Sequence, residues 1–491
     1  MNFNINSNTN NQDYYEYTPN TSYTSENFYV FFDFLLDEII RNKLGPTLTT
    51  RFLYISNVIL HSTYLFTNCV SSNIFKEFSN FLINLKQPNY IYNYIVYKGL
   101  KKFYEHLSFD STNLDNFYNN LIKDLNELDR GYLKAFSNKG IFVNDKLYPF
   151  LESRNNDGWK NANNPVNYPN NGKFIDYNNP QTLNTYLNDT SSWTPLLIDG
   201  KVQKYLTPYW GQVQDVLNNN DIRNKYRDVA QKNYPTNNSR SIEIDSIVKM
   251  YNSLDDTKKM VAEFFAGGPG TVSPPGIWNV LGYYATKSLN LSLEDVSTFF
   301  YILNSTLFQS SIVCWEIKLN YLQSRPIQAI RVNYHNDIVT SYDGSNVLGS
   351  LWKPYQETNF VTPPFPDYIS GHSTFSSSAS VIFEKLLKQQ PSELVNLENF
   401  SSKHLSYISP IFTNSDNYSN INKVFIDKEC SKVINTDPNC ILKLSFDTWN
   451  EIANYSGISR IYGGIHNDSS NTTGLLIGSL IGNDILKSRN L

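Results

Sequence analysis

The first group of residues that could do chemistry is basic and lies at the end of a long predicted helix. Lys318 and Arg325 are seven residues apart, and Pro326 ends the helix. Because seven residues make about two helical turns, the spacing predicts that both side chains lie on one helix face, which Trp315 joins. Such a face could bind an anion. A solvated basic helix end, which the helix dipole favours, explains the same residues when they are taken alone.

A second group combines a hydroxyl, a glycine and an imidazole. Ser370-Gly371-His372 follows the proline-rich segment Thr362-Pro-Pro-Phe-Pro-Asp and begins another predicted helix. The first N–H groups of a helix lack partners within it, and glycine lets a ligand come close to the backbone, so the segment could bind an anion. The alternative is an ordinary serine-capped helix with an exposed histidine.

A third group pairs an arginine with a histidine across a break in a helix. Ser459-Arg460 is followed six residues later by His466. Gly463 and Gly464 lie between them and can turn the chain, so Arg460 and His466 can converge. The alternative is a helix C-terminus with an incidental histidine.

Together the three groups are suited to a tetrahedral oxyanion. A lysine and two arginines can neutralise several negative oxygens, and the Ser370 hydroxyl and the Gly371 N–H can bind further ones. Two of the chain's six histidines then remain, His372 and His466. One can bond the central atom while the other transfers protons.

The order and spacing of these groups, K-x6-R-P, S-G-H and S-R-x5-H, resemble the pattern of vanadium-dependent haloperoxidases and type 2 phosphatidic acid phosphatases. The resemblance is strong over about residues 255–480 and points to the soluble, chloroperoxidase-like branch. A weaker likeness begins near Ser192-Trp-Thr-Pro-Leu-Leu and Tyr205-Leu-Thr-Pro-Tyr-Trp-Gly. Known members are helical bundles, so the resemblance implies a bundle here as well.

The resemblance also implies a role for each matching residue. The oxygens of vanadate or phosphate would be bound by Lys318, Arg325, Ser370, Gly371 and Arg460. His466 would be the apical vanadium ligand, or the phosphorylated nucleophile of a phosphatase, and His372 would be the acid–base residue. Lys318 would also polarise bound peroxide. Trp315 and Phe365 match aromatic positions beside the halide site of chloroperoxidases.

Two acidic positions of the family patterns are not acidic in this chain. The phosphatase pattern has an aspartate four residues after the last histidine, where this chain has Ser470, and the nearest acid is Asp468. The chloroperoxidase pattern has an aspartate that steadies the second arginine, where this chain has Gly267.

Three functions are compatible with the resemblance. The first, which Trp315, Phe365 and the proline-rich segment favour, is a haloperoxidase with vanadate as cofactor, which uses hydrogen peroxide to oxidise a halide to hypohalous acid. The second is a soluble acid phosphatase that hydrolyses a small phosphate ester through a phosphohistidine. The third is a non-catalytic structural protein of the same fold, which the residues at Gly267 and Ser470 leave open.

The elements that must position these residues are predicted to be helices, so the fold class is all-α. Residues 1–25 are polar and predicted to be disordered, and 26–138 form a helical N-terminal region. Residues 139–238 are predicted to be an irregular Asn- and Pro-rich connection, with short strands over 139–200, and 239–491 form the bundle with the site. Apolar residues predict helices over Phe28–Asn42, Phe52–Phe66, Ile74–Leu85, Ile91–Leu107, Leu114–Phe136, Ile244–Phe265, Ile277–Leu289, Leu293–Gln323, 370–387, Leu442–Ile461 and Gly474–Leu486.

Composition excludes several classes of protein. The chain has 491 residues, of which 40% are hydrophobic, so it can bury a core without disulfides. A net charge of −4 gives no reason to expect nucleic acid or an anionic membrane as partner. Four cysteines are too few for a disulfide framework and lack the clustering of a zinc site. No apolar stretch reaches the roughly 18 residues of a membrane span and no secretory signal is visible, so a soluble protein is expected, with compartment and oligomeric state open.

Overall fold

The computed structural model describes residues 24–68, 89–127, 129–131, 133, 143–165, 174–179, 191–356, 360–395, 399–409, 426–429, 441–444 and 446–491. The predicted disordered tail, apart from residues 24 and 25, and the predicted helix Ile74–Leu85 lie outside these ranges. The described part of the chain is mainly helical, which confirms the all-α prediction. None of its helices combines the length and the apolar character needed to cross a membrane.

The N-terminal region is built from helices that bury aromatic side chains. In helix α1, Phe28 and Phe32 are fully buried and lie against Phe300 of a later helix, with ring centroids 5.3 and 4.2 Å apart. The burial of these rings fixes the N-terminal helices against the C-terminal bundle. The helices of this region are α1 (Ser25–Arg41), α2 (Pro46–Asn68), α3 (Asn89–Leu107), α4 (Thr112–Leu121) and α5 (Tyr148–Asn155), the last preceded by a π-helical turn, Val143–Leu147.

The connecting region differs from its prediction in two respects, because it contains α5 and a second helix, Asn220–Asn233, where irregular chain was predicted. Residues 139–200 were expected to be irregular with short strands, but α5 lies within them. This helix is stabilised by the burial of Leu151 and of Leu147, the residue just before it. Such tertiary contacts cannot be predicted from a short segment beside an Asn-rich stretch. The rest of the connection includes the small strands β1 (Ile175–Asp176), β2 (Leu196–Ile198) and β3 (Lys201–Val202), of which β1 pairs parallel and β3 antiparallel to β2, and then α6 (Asn220–Asn233).

The single helix predicted over Ile244–Phe265 is wrong, because the structure has two helices there. They are α7 (Asn237–Tyr251) and α8 (Asp256–Phe264). Asp255 begins α8 as its N-cap and accepts a hydrogen bond from the backbone N–H of Lys258. A capping aspartate satisfies a free N–H of the new helix, so it starts a helix rather than continues one.

The C-terminal helices follow the sequence predictions more closely. They are α9 (Ser273–Ser288), α10 (Leu293–Tyr321), α11 (Pro326–Asn333), α12 (Gly371–Leu387), α13 (Pro391–Leu394), α14 (Ser402–Ile408), α15 (Trp449–Tyr462) and α16 (Asp468–Ser488). Two antiparallel hairpins lie between them, β4 (Ile338–Thr340) with β5 (Asn346–Leu348) and β6 (Ile426–Glu429) with β7 (Ile441–Leu444). The helix predicted over Leu442–Ile461 therefore begins later, at Trp449, after strand β7.

Helix α10 is the central element, because it packs on α1 and α2 on one side and on α12 and α16 on the other. Ser292 starts it by accepting a hydrogen bond from the backbone N–H of Asp295. It is buried along most of its length and on nearly all its faces, as a helix between two layers must be. It ends where Leu322 adopts a left-handed conformation, with φ 46°.

Helices α12 and α16 cross unusually closely because α16 has glycine at every fourth position of the contact. A Cβ atom built on Gly474, Gly478 or Gly482 would lie 2.9, 2.4 or 2.9 Å from a backbone carbonyl oxygen of Ser370, Thr374 or Ser378, respectively. Side chains there would push the helices apart. The glycines therefore hold the N-terminus of α12 beside the start of α16, and that is where the candidate site lies.

Candidate oxyanion site

The candidate site is assembled from the ends of five helices. Lys318 lies in the last turn of α10, and Arg325 is the N-cap residue of α11. Ser370 is the N-cap residue of α12. Arg460 lies in the last turn of α15, and His466 lies in the turn between α15 and α16. Helix ends meet here, so free N–H groups and side chains from distant parts of the sequence converge.

Lys318 and Arg325 do not share a helix face, contrary to the prediction, because α10 ends four residues before Arg325. The two side chains are brought together by one loop, residues 365–367. The backbone carbonyl groups of this loop accept hydrogen bonds from both. The Lys318 Nζ donates to the carbonyls of Pro366 at 2.8 Å and Asp367 at 2.9 Å. The Arg325 Nε donates to the carbonyl of Phe365 at 2.8 Å. The loop therefore fixes the two cations side by side.

The start of α12 has the features expected of an anion site. The Ser370 hydroxyl oxygen accepts from the backbone N–H of Ser373 at 3.3 Å, so its own hydrogen remains available to a ligand. Gly371 is the first helical residue, and a Cβ atom there would lie 3.5 Å from both Phe375 and Trp315. His372 follows, partly buried, and its Nε2 lies 2.9 Å from the Phe265 carbonyl oxygen, to which it can only donate.

Arg460 is held by backbone carbonyls where the family pattern has an aspartate. Its Nη2 donates to the carbonyl of Ala262, its Nη1 to that of Ala266 at 3.4 Å, and its Nε to the Ser459 hydroxyl at 2.9 Å. Ala262 lies in the last turn of α8, where the helix dipole is negative. The end of α8 thus steadies the guanidinium beside Gly267 without neutralising it.

His466 is held by a carboxylate that the sequence analysis did not single out. Its Nδ1 contacts the Oδ1 of Asp367, and its Nε2 lies 3.2 Å from the Arg325 Nη1. The positive φ of Gly464, 68°, turns the chain after Arg460 and brings His466 to the site, as the two glycines predicted. Asp367 lies three residues before Ser370, at the end of the proline-rich segment Thr362-Pro-Pro-Phe-Pro-Asp. An acidic residue so close to the predicted anion site was the sequence signal that could have identified it.

Trp315 and Phe365 form an aromatic wall beside the cations. Their ring centroids are 5.0 Å apart. The Lys318 Nζ lies 5.8 Å from the Trp315 ring and 5.2 Å from the Phe365 ring, and the Arg325 Cζ lies 5.0 Å from the Phe365 ring. The Trp315 Nε1 donates to the carbonyl of Leu206 at 3.0 Å, so residues from the weaker upstream resemblance fix the wall.

The three cations are buried and electrostatically under-compensated. Burial lowers the pKa of Lys318 to about 7, with neighbouring Arg325 adding to the effect. Burial likewise lowers the pKa of Arg325 to about 10 and that of Arg460 to about 9. Within the described ranges, no carboxylate forms an ion pair with any of the three side chains. Buried cations without counterions are costly, so a bound anion would stabilise the site.

The pKa values of the two histidines and of Asp367 are also shifted by their surroundings. Burial and the nearby guanidinium of Arg460 hold the pKa of His372 well below 6.5. Burial and the cations Arg325 and Lys318 do the same to His466. Burial raises the pKa of Asp367 to about 6, and the same two cations oppose that rise. At neutral pH both imidazoles are therefore neutral, and Asp367 is ionised.

The donors present fit a tetrahedral oxyanion such as vanadate or phosphate. Three cationic side chains, a hydroxyl and the first N–H groups of α12 can bind its oxygens, while the unprotonated nitrogen of a neutral imidazole can bond its central atom. All nine residues predicted for the site thus lie in one connected group: Trp315, Lys318, Arg325, Phe365, Ser370, Gly371, His372, Arg460 and His466.

Comparison with known proteins agrees with this architecture. Residues 298–490 match the family model of the VCPO second helical-bundle domain. The structure of a bacterial vanadium-dependent iodoperoxidase is 17% identical, with a TM-score of 0.62 over 94% of this chain and 96% of that one. Two structures of a bacterial vanadium-dependent chloroperoxidase, holo and apo, are 14% and 15% identical, with TM-scores of 0.60 and 0.57. They cover 91% and 90% of this chain and 93% and 95% of theirs.

No curated protein matches the sequence. The match to the domain family includes every residue predicted for the site, from Trp315 to His466, and the structural likeness extends over the N-terminal helices as well. The resemblance recognised in the three sequence motifs is therefore confirmed over residues 298–490, which match the VCPO second helical-bundle domain, and the chain has the fold of the vanadium haloperoxidases.

Proposed function

We propose that this protein is a vanadate-dependent haloperoxidase, which uses hydrogen peroxide to oxidise a halide to hypohalous acid. The observation that carries the proposal is the group of three buried cations, none of them ion-paired to a carboxylate of the described chain, around a neutral imidazole. Such an excess of buried positive charge matches an anion with several oxygens rather than a neutral ligand.

Each residue has a distinct task in this proposal. Lys318, Arg325 and Arg460 bind the oxygens of vanadate, together with the Ser370 hydroxyl and the Gly371 N–H. His466 holds its Nε2 lone pair towards the bound anion. Bound vanadate supplies a Lewis-acidic centre at which peroxide can be activated. The protein supplies the fixed positive charge, which needs no rearrangement during the reaction.

His372 is suited to remove a proton from hydrogen peroxide. Its Nε2 donates to the Phe265 carbonyl, so in the neutral imidazole the lone pair lies on Nδ1. Its pKa is held well below 6.5, which keeps it neutral at pH 7. A neutral imidazole can accept a proton but has none to give from Nδ1. This supports a peroxidase over a phosphatase, because a phosphatase needs an acid for the leaving group.

Trp315 and Phe365 give a halide an apolar wall with positive charge behind it. Lys318 lies against the Trp315 ring and Arg325 against the Phe365 ring, so a halide beside the wall would feel the attraction of both cations. The same lysine donates to two carbonyls, which fixes its ammonium in place to polarise bound peroxide.

A phosphatase is the second candidate, and one observation favours it. The Asp367 carboxylate on His466 is the arrangement that activates a histidine nucleophile, so Nε2 could attack the phosphorus of a small phosphate ester. The same cations would bind the phosphoryl oxygens. Both candidates require the oxyanion site, and they differ in what His372 must do.

One pair of assays separates the candidates. Purified protein, with and without added orthovanadate, is tested for halogenation of monochlorodimedone with peroxide and chloride, bromide or iodide, and for hydrolysis of p-nitrophenyl phosphate. We expect vanadate-dependent halogenation. Hydrolysis that needs no vanadate and is inhibited by it would establish the phosphatase instead, and the absence of both activities would favour the non-catalytic alternative.

A matched pair of variants ties the activity to the site. Lys318→Met removes a buried cation of the site, whereas Lys249→Met removes an exposed lysine of α7. Activity should fall in the first and persist in the second. Halogenation that survives Lys318→Met would mean that this lysine is not part of the catalytic site.

A further inference from the structure

The phosphatase pattern has an aspartate four residues after its last histidine, and this chain has Ser470 there. We propose that Asp367, from the loop before α12, is the positioning residue of His466 and replaces that missing acid. This proposal depends on the proposed function in one respect only, the identity of the ligand that His466 binds. The acid thus comes from this loop, whereas the phosphatase pattern has its acid at a position that lies in helix α16 here.

The contacts of His466 select one tautomer of its ring. An ionised carboxylate can only accept, so Asp367 Oδ1 requires a proton on Nδ1. A guanidinium can only donate, so Arg325 Nη1, 3.2 Å from Nε2, requires a lone pair there. Ser470 agrees with both: its hydroxyl donates to the Asp367 carbonyl at 2.8 Å, so its oxygen faces Nδ1, 3.2 Å away, as an acceptor. The proton lies on Nδ1, and the lone pair on Nε2 can bond the central atom of an oxyanion in place of the hydrogen bond from Arg325.

Asp367 is itself fixed from every side, as a positioning residue must be. Its backbone N–H donates to the carbonyl of Gln323 at 2.9 Å. Its own carbonyl accepts from Lys318 and Ser470. Its Oδ2 accepts from Asn467 twice, from the side-chain Nδ2 at 2.7 Å and from the backbone N–H at 3.3 Å. Its side chain is completely buried.

The acid nearest to His466 in sequence does not take this role. Asp468 is the first residue of α16 and is exposed. Ser470 occupies the place of the family aspartate and links the two parts of the arrangement, because its carbonyl accepts from the Ser370 N–H at 2.9 Å while its hydroxyl donates to Asp367. The carboxylate on Nδ1 thus comes from the loop before α12, and a serine stands at the position of the pattern's aspartate.

Replacing Asp367 by asparagine should move the proton from one ring nitrogen to the other. Both donors of Asn467 point at the Oδ2 position, so they fix the amide oxygen there and turn the amide NH2 towards Nδ1. Nδ1 must then accept, the proton goes to Nε2, and the hydrogen bond from the Arg325 Nη1 to Nε2 is lost. A wrongly protonated Nε2 cannot bond vanadium, so orthovanadate affinity should fall by about 10- to 100-fold.

The tautomer is read directly by nitrogen-15 NMR of protein labelled in its six histidines, without vanadate and at about pH 8, where the ring is neutral. His466→Gln identifies the signal. Vanadate affinity is read by calorimetry. Asp468→Asn is the matched control, because it removes an equal charge near the same histidine without touching it. We expect the tautomer to change in Asp367→Asn alone.

A second variant moves the acid back to the family position. Asp367→Ala should lose both the single tautomer and the vanadate affinity, and adding Ser470→Asp should restore them. If Asp367→Asn and Asp367→Ala both keep Nδ1–H and wild-type vanadate affinity, the inference is overturned even when the wild type halogenates. If the tautomer responds as expected but the wild type binds no vanadate, the positioning role stands and the proposed function fails.

Discussion

Lys318 should make oxyanion binding depend on pH. Burial lowers its pKa to about 7 from an ordinary value of 10.5, so its ammonium is largely present below pH 7 and lost above it. Binding of a dianion needs that ammonium, because Lys318 is one of three cations at the site. Affinity should therefore fall about tenfold for each pH unit above 7, or about 1.4 kcal/mol.

Calorimetry with sulfate tests this, since sulfate stays a tetrahedral dianion over the range. Between about pH 7 and about pH 8.5 the protonated fraction of a group with a pKa near 7 falls about fifteenfold, and sulfate affinity should follow it. Asp367 and the two histidines do not interfere, because the pKa of Asp367 is about 6 and those of His372 and His466 lie well below 6.5.

The variant Lys318→Met should bind sulfate weakly at both pH values and show almost no slope. The exposed Lys249→Met should keep the wild-type slope. A wild-type affinity that is constant from about pH 7 to about pH 8.5 would refute the argument that burial sets the charge of this lysine. An equal slope in Lys318→Met would place the titrating group elsewhere in the site.

Four further substitutions have distinct expected outcomes. His466→Ala should chiefly weaken vanadate binding, whereas His372→Ala should retain it and lose about 100- to 10,000-fold in turnover, as calorimetry and rates at saturating vanadate would show. Gly371→Ala adds a methyl group 3.5 Å from the Trp315 ring, an ordinary contact, so thermal stability should hold while the KM for halide rises. Gly478→Ala places a Cβ atom 2.4 Å from a carbonyl of α12 and should cost about 1–3 kcal/mol in urea unfolding. Unchanged stability of that variant would contradict the close helix crossing.

Much of the site could be predicted from the sequence because local rules fix its parts. Ser370 was predicted as a helix cap, and it accepts from the N–H of Ser373 as a cap does. Gly463 and Gly464 were predicted to turn the chain between Arg460 and His466, and α15 ends at Tyr462 just before them. Such signals depend on neighbours within a few residues, so the sequence carries them in full.

The points at which one helix ends and the next begins were harder to predict, because the local signals that end a helix are weak there. Ile244–Phe265 has continuous apolar spacing, and only the capping by Asp255 separates α7 from α8. Lys318 and Arg325 have the spacing of one helix face, yet the left-handed Leu322 ends α10 between them. They still converge, because the loop at 365–367 accepts from both. The prediction of convergence was right although its geometric reason was wrong.

Only the tertiary structure decided which groups hold the charged residues. The family patterns predicted acids at Gly267 and Ser470, and their absence left the activity open. In the folded chain the carbonyls at the end of α8 hold Arg460, and Asp367 holds His466 from about a hundred residues away in sequence. Hydrogen bonding requires only an acceptor at the right place, and a position in space can be reached from many positions in the chain. The sequence therefore determined which residues form the site, and the packing of its helices determined what orients them.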